Sequence, residues 1–133
     1  MLFILKELYG KIRITEEVYA EFGKPLESWM KTEKVRNRNF IRVLNNLVDI
    51  GEASTIALSF EVQNSLMILD DLRARKVAEN LKLKFTGLLG VLLKAKQNNI
   101  LCSVRDVLKK IKTANFRISS EMENKILRLA DEI

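Results

Sequence analysis

Histidine is absent from this chain of 133 residues, cysteine and proline each occur once, and glycine occurs five times. Without His, and with Cys102 alone, an internal disulfide, a His-ligated zinc site, a Cys–His nucleophile and imidazole acid/base chemistry are all excluded within one chain. Catalysis would have to run on carboxylates, hydroxyls or amines. The scarcity of Pro and Gly leaves little room for linkers, so a single domain over residues 1–133 is expected, large enough to close one core unaided. Long apolar runs are missing as well. The opening Met1-Leu2-Phe3-Ile4-Leu5 meets Lys6 and Glu7 too soon for a signal h-region, or for a span of about 20 apolar residues. A cytoplasmic protein without membrane association is the expectation.

What is abundant is positive charge, in one place. The net charge is +6, but Arg73 to Arg117 carries twelve Lys or Arg against Glu79 and Asp106, or +10, so the remainder sums to −4. A polyanion is the partner that suits such a block, because Lys and Arg displace counterions from phosphates without regard to sequence. A solvated surface that keeps the protein soluble accounts for the same charge equally well.

Hydrophobic spacing gives an α/β order. Leu2, Phe3, Leu5 and Leu8 fit a short helix ended by Gly10, and Lys11 to Ile14 alternates as a strand. Thr15 caps a helix with Glu16 and Glu17 in its first turn and Gly23-Lys24-Pro25 as its stop. The segment from Ser28 to Val35 reads as a weak edge strand anchored by Trp29, and Phe40, Val43, Leu44 and Leu47 as one face of a helix. A further helix is expected from Glu52, with Ala53, Ile56, Ala57 and Phe60 inward. The apolar run Leu66 to Leu69 reads as a strand covered on both sides, followed by a helix on Ala74, Val77, Ala78 and Leu81 and a short strand at Leu83 to Phe85. Strand, helix and strand in so short a span make a βαβ unit. Leu88 to Gln97, Ser103 to Ala114 and Ser119 to Glu132 are expected helices, with Phe116-Arg117-Ile118 as a last strand.

In an open parallel sheet the ligand site lies outside the carboxyl ends of the strands. Asp70 and Asp71 fall at the end of the Leu66–Leu69 strand, Thr86 and Gly87 at the end of its neighbour, and Glu52 opens a helix after Gly51. Carboxylates gathered on that rim repel, by roughly 1 kcal/mol per pair in water and about 4 kcal/mol at an effective dielectric of 20, at about 4 Å. A divalent cation turns the repulsion into binding. Oxygen ligands alone favour Mg²⁺ or Mn²⁺ over zinc, and metal-activated attack of water on a phosphodiester is the chemistry they support. The same acids have a plainer use. Asp70 or Asp71 at a helix N-cap satisfies free N–H groups for about 1 kcal/mol, and Glu52 in a first turn suits the helix dipole. Spacing alone leaves both readings open.

The order Gly51-Glu52-Ala53, then Ile68-Leu69-Asp70-Asp71 with Ala74-Arg75 and Val77-Ala78, then Thr86-Gly87-Leu88-Leu89-Gly90-Val91-Leu92-Leu93-Lys94-Ala95-Lys96, resembles a PIN-like branch of prokaryotic proteins. The closing Asn115-Phe116-Arg117-Ile118-Ser119 and the helix after it resemble the same branch, so the likeness spans nearly the whole chain. It implies a helix-rich α/β fold with a small, mostly parallel central sheet flanked by helices. It also implies Mg²⁺- or Mn²⁺-dependent cleavage of single-stranded RNA, in many relatives as the toxin of a toxin–antitoxin pair. Carried over by position, Glu52 and Asp71 are the metal-binding and catalytic acids and Asp70 an assisting or alternative ligand. Arg75 matches the Arg of that branch, and with Arg73, Lys94 and Lys96 it makes the expected set of RNA contacts.

Such domains generally begin with an apolar strand ending in an Asp ligand, whereas this sequence opens inside the helix that follows, and it has Gly87-Leu88-Leu89 where many relatives place another acid. Three expectations follow: a start upstream of Met1, a non-catalytic RNA-binding or partner-binding relative, or a second subunit that completes the site. A homodimer paired along an exposed sheet edge belongs with the last. A helix-turn-helix DNA binder built on Ser103–Ala114 and Ser119–Ala130 fits less well, because Ser119-Ser120-Glu121-Met122-Glu123 would present acids to phosphates. Trp29 with the charges from Lys31 to Arg38 reads as a packing anchor more readily than as a stacking platform, and Cys102 as a small hydrophobe.

Overall fold

The computed structural model describes residues 2–113 and 118–133, without the Leu2 side chain. In chain order the elements are α1 (Leu2–Tyr9), β1 (Ile12–Thr15), α2 (Glu16–Phe22), β2 (Met30–Glu33), α3 (Arg38–Leu44), α4 (Ile50–Ser59), β3 (Met67–Ile68), α5 (Leu72–Asn80), β4 (Phe85–Thr86), α6 (Leu88–Gln97), α7 (Val104–Thr113) and α8 (Ser120–Leu129). This is the helix-rich α/β class expected, with parallel pairing throughout the described strands. The chain divides into two compact units, one of Gly10–Leu88 and one of Met1–Tyr9 with Leu89–Ile133.

The Gly10–Leu88 unit holds all four strands. β1 pairs with β2 from Ile12 opposite Met30 to Thr15 opposite Glu33, and β3 pairs with β4 through Met67 opposite Phe85 and Ile68 opposite Thr86. The sheet is therefore two parallel ribbons, and α4 packs on one strand of each, β1 and β3. Small residues let it do so: Gly51, Ala53, Ser54 and Ala57 are buried with Ile56. The core continues through Ile41, Leu44 and Val48 at the end of α3, Met67 and Leu69 around β3, and Ala74 and Ala78 of α5.

A polar node lies within this packing. Thr15 Oγ1 accepts the Val18 N–H as the cap of α2 and lies 2.6 Å from Ser54 Oγ in a buried contact; Ser54 Oγ is also 2.7 Å from the Gly51 carbonyl. Buried hydroxyls are tolerated only when so paired. Gly23 ends α2 at φ +67, a left-handed conformation that glycine adopts without strain.

Several faces differ from expectation. In α3 the buried positions are Ile41 and Leu44, continued by Val48, while Val43 and Leu47 are 60% and 55% exposed. Both sets fit a 3.6-residue repeat, and packing against α4 selects one. β3 alternates, with Met67 and Leu69 buried and Leu66 and Ile68 exposed, so it is covered on one face and not on two. Phe60 is exposed, although its ring meets Phe40 edge-on at 5.3 Å. In α1, Ile4 is the buried residue and Phe3 is exposed. α4 begins at Ile50, ahead of the expected Glu52. Ala114 and the Phe116 and Arg117 of the expected last strand lie outside the described residues, and Ile118 belongs to no strand.

The second unit contains α1 and, from Leu89 on, α6 to α8, with Val91, Leu92, Ala95, Val104, Leu108, Ile126 and Leu127 buried. Its polar clamp is Glu132, whose carboxylate accepts the Val104 and Arg105 N–H groups at 2.7 and 3.1 Å and pairs with Lys96 at 3.3 Å. Burial alone would push this carboxyl up, but the Arg105 and Val104 N–H groups and Lys96 outweigh it and hold it below its ordinary value.

Thr15→Val is expected to lower stability by about 1–3 kcal/mol, because it strands the Val18 N–H and one partner of Ser54. Chemical denaturation checks this, and Thr15→Ser should recover most of the loss. Adding Ser54→Ala to Thr15→Val should cost less than the sum of the single changes, since both halves of the pair are then gone.

Candidate functional site

Two helix starts in the Gly10–Leu88 unit bring acids together. Asp49 caps α4, its Oδ1 accepting the Glu52 N–H at 2.9 Å, which sets Glu52 in the first turn. Asp71 caps α5, its Oδ2 accepting the Ala74 N–H at 3.1 Å. Asp49, Glu52 and Asp71 line one cleft of about 350 Å³, together with Asn45, Leu47 and Arg73. The Asp71 carboxylate thus caps a helix and faces the cleft at once.

Asp70 takes a different path. Its Oδ1 accepts the Leu88 N–H at 2.7 Å, and it does not line the cleft. Gly87 makes the approach possible, because a Cβ there would lie 3.1 Å from Asp70 Oδ1 and 3.4 Å from the Leu69 carbonyl. The adjacent pair is divided between two helix starts.

Glu52 feels its neighbours. Desolvation, then the Asp49 and Asp71 charges and a hydrogen bond with Asp49, then Glu21, push its carboxyl up to about 7. Glu21 arrives from α2, its carboxylate lying over Gly51, where a Cβ would come within 2.7 Å of Oε1.

The basic candidates have different partners. Arg73 lines the cleft, whereas the Arg75 guanidinium lies over the Phe85 ring at 5.4 Å. In the other unit Lys94 lies over the Tyr9 ring at 5.1 Å, and Lys96 binds the Cys102 carbonyl as well as Glu132. The sites expected at Glu52, Asp71 and Arg73 therefore share a cleft, and Asp70 and Arg75 lie in the same unit but are engaged elsewhere.

Among the described residues, no three Asp, Glu, Cys or His side chains are grouped closely enough to hold a metal ion. The donors facing the cleft are oxygen-only, of a kind that suits a hard, hydrated cation retaining several waters, and not a closed cage. A family model described as a PIN domain matches residues 1–132. The chain belongs to the PIN-domain family. No curated protein and no solved structure gives a significant match. Membership points to a nuclease-like or nucleic-acid-related function, in a family whose members generally bind divalent metals. The family match spans both compact units. No helix among the described residues of this PIN domain is long and apolar enough to cross a membrane.

Asp49 and Glu21 are participants that the sequence reading missed. For Asp49 a signal was present, since Asp49-Ile50-Gly51-Glu52 has the capping-box spacing of an N-cap acid and an acid three residues later. Nothing local marks Glu21, which reaches Gly51 only because α2 packs on α4.

Asp70→Ala is expected to cost about 1 kcal/mol by removing the acceptor of the Leu88 N–H, measured by denaturant titration. A second prediction concerns pH. A carboxyl raised in the folded state contributes stability that is fully present below its unfolded value of 4.5 and lost as pH rises through about 7. Thermal melts from pH 4.5 to 8 should therefore fall less steeply for Glu52→Gln than for the native chain, with the variant the more stable above pH 7.

Proposed function

We propose that this PIN domain is an endoribonuclease acting on single-stranded RNA, with Glu52 and Asp71 as its metal-facing pair and Arg73 as its phosphate contact. The convergence of Glu52 from the first turn of α4 and Asp71 from the cap of α5 on one cleft, with Arg73 beside them, carries the reading. Mg²⁺ or Mn²⁺, when bound, supplies Lewis-acid polarisation of the phosphodiester and a more acidic water.

The chain's own groups do the rest. Glu52, pushed up to about 7 by burial and its acidic neighbours, must give up its proton to face a metal ion, so protonation and metal binding compete at this carboxylate near neutral pH. Asp71 has one oxygen committed to the Ala74 N–H, which fixes the carboxylate and leaves the other free for a ligand. Arg73 offsets the repulsion between the acidic cleft and an incoming phosphate.

A non-catalytic RNA-binding role is the second reading, favoured by the commitment of Asp70 to Leu88 and by the fact that, among the described residues, no three acids are grouped closely enough to hold a metal ion. A toxin-type role with an antitoxin partner belongs to the same proposal. So does a homodimer, for which pairing along an open edge of a β ribbon is the natural form.

The test is cleavage of 5′-labelled single-stranded RNA with Mn²⁺, compared with Glu52→Gln and Asp71→Asn. Asn is as good an N-cap as Asp, so the second variant keeps α5. Each should lose activity on the order of 100-fold, as expected when one group acting on the transition state is removed. RNA binding without cleavage by the native chain would support the binding role, and equal cleavage by all three proteins would sink the nuclease reading.

A further inference from the structure

The cleft is lined by two kinds of residue: Asp49, Glu52, Asp71 and Arg73 are charged, whereas Asn45, Asn46 and Leu47, where α3 ends, are not. A phosphate is repelled by the three acids and gains nothing ionic from the uncharged residues, so Arg73 is the position in the cleft that draws it. The uncharged residues suit a neutral, flat group with a hydrogen-bonding edge.

Asn45 is the C-cap of α3, and its backbone N–H donates to the Ile41 carbonyl at 2.8 Å, so its place does not depend on its carboxamide. Among the described residues that carboxamide has no hydrogen-bond partner, and it offers a donor and an acceptor side by side. Asn46 differs, since its Nδ2 donates to the Arg42 and Val43 carbonyls at 3.2 and 3.3 Å, leaving its oxygen as an acceptor. Leu47, 55% exposed, supplies apolar surface beside both. At about 350 Å³ the cleft is near the lower end of ligand-site volumes, a scale suited to one splayed-out base and not to a duplex.

We infer that Asn45, Asn46 and Leu47 form a base-reading subsite for one unstacked nucleobase of single-stranded RNA, beside the carboxylates and with the adjoining phosphate at Arg73. The inference rests on the reading of this cleft as an RNA site and adds specificity to it. Adenine is the favoured base: a carboxamide bonds its N6 amine and an adjoining ring nitrogen together, the second Asn acceptor suits the remaining amine hydrogen, uracil lacks that amine, and cytosine, which has it, lays a smaller ring on Leu47. Leu47 covers one face of the ring.

The experiment is fluorescence anisotropy in EDTA, which prevents metal-dependent cleavage, with labelled A, C and U homopolymers about 12 nucleotides long. The native chain should bind the A oligomer at least about fivefold more tightly than the others, the lower range of what one bidentate contact confers. Asn45→Ala should reduce that ratio to about twofold or less while the C and U affinities stay in place; an unfolded variant would lose all three. Arg73→Ala should weaken all three alike and keep the ratio. Equal affinities for the native chain, no binding of any oligomer, or a ratio untouched by Asn45→Ala would each overturn the inference. Preference for A without cleavage under Mn²⁺ would leave this subsite standing and remove the nuclease, and cleavage without base preference would do the reverse.

Discussion

The buried contact between Thr15 and Ser54 is the joint on which the cleft of the Gly10–Leu88 unit depends. One hydroxyl closes β1 and starts α2, and the other lies in the second turn of α4 with its oxygen also against the Gly51 carbonyl. Both are buried, so water cannot replace either partner, and the register of α4 against β1 is fixed by the need to satisfy them. Glu52 and Gly51 lie in the turn just before, which is why the carboxylate at the cleft and the glycine beneath Glu21 have defined places.

Helix starts supply the rest of the geometry. Asp49 and Asp71 each use a carboxylate oxygen on a helix N–H while lining the same cleft, so the bonds that begin α4 and α5 also aim two acids inward. Folding and function compete little here, because a carboxylate has more acceptor positions than a cap consumes. Asp70 shows the limit of such sharing. Its side chain turns toward Leu88, helped by the absent side chain of Gly87, and the neighbouring acid alone faces the cleft.

Charge along the sequence is a poor map of charge at the site. The basic block suggests a broad phosphate surface, yet the structure distributes it among different tasks: Arg73 at the cleft, Arg75 on an aromatic ring, Lys94 on another, and Lys96 against a carboxylate and a carbonyl. The cleft itself is lined by three acids and one Arg beside uncharged residues, in a chain whose net charge is +6.

By itself the sequence determined the α/β order, the parallel βαβ unit and the cap at Thr15, because periodicity, capping and turn chemistry act over a few neighbouring residues. Tertiary structure alone decided which of two equally periodic faces of α3 is buried, that the strands form two ribbons, and that Asp70 and Asp71 part company. It also brought Glu21 and Asn45 to the site. Those outcomes depend on what a side chain meets across the fold, and local pattern carries no record of a partner 18 or 30 residues away.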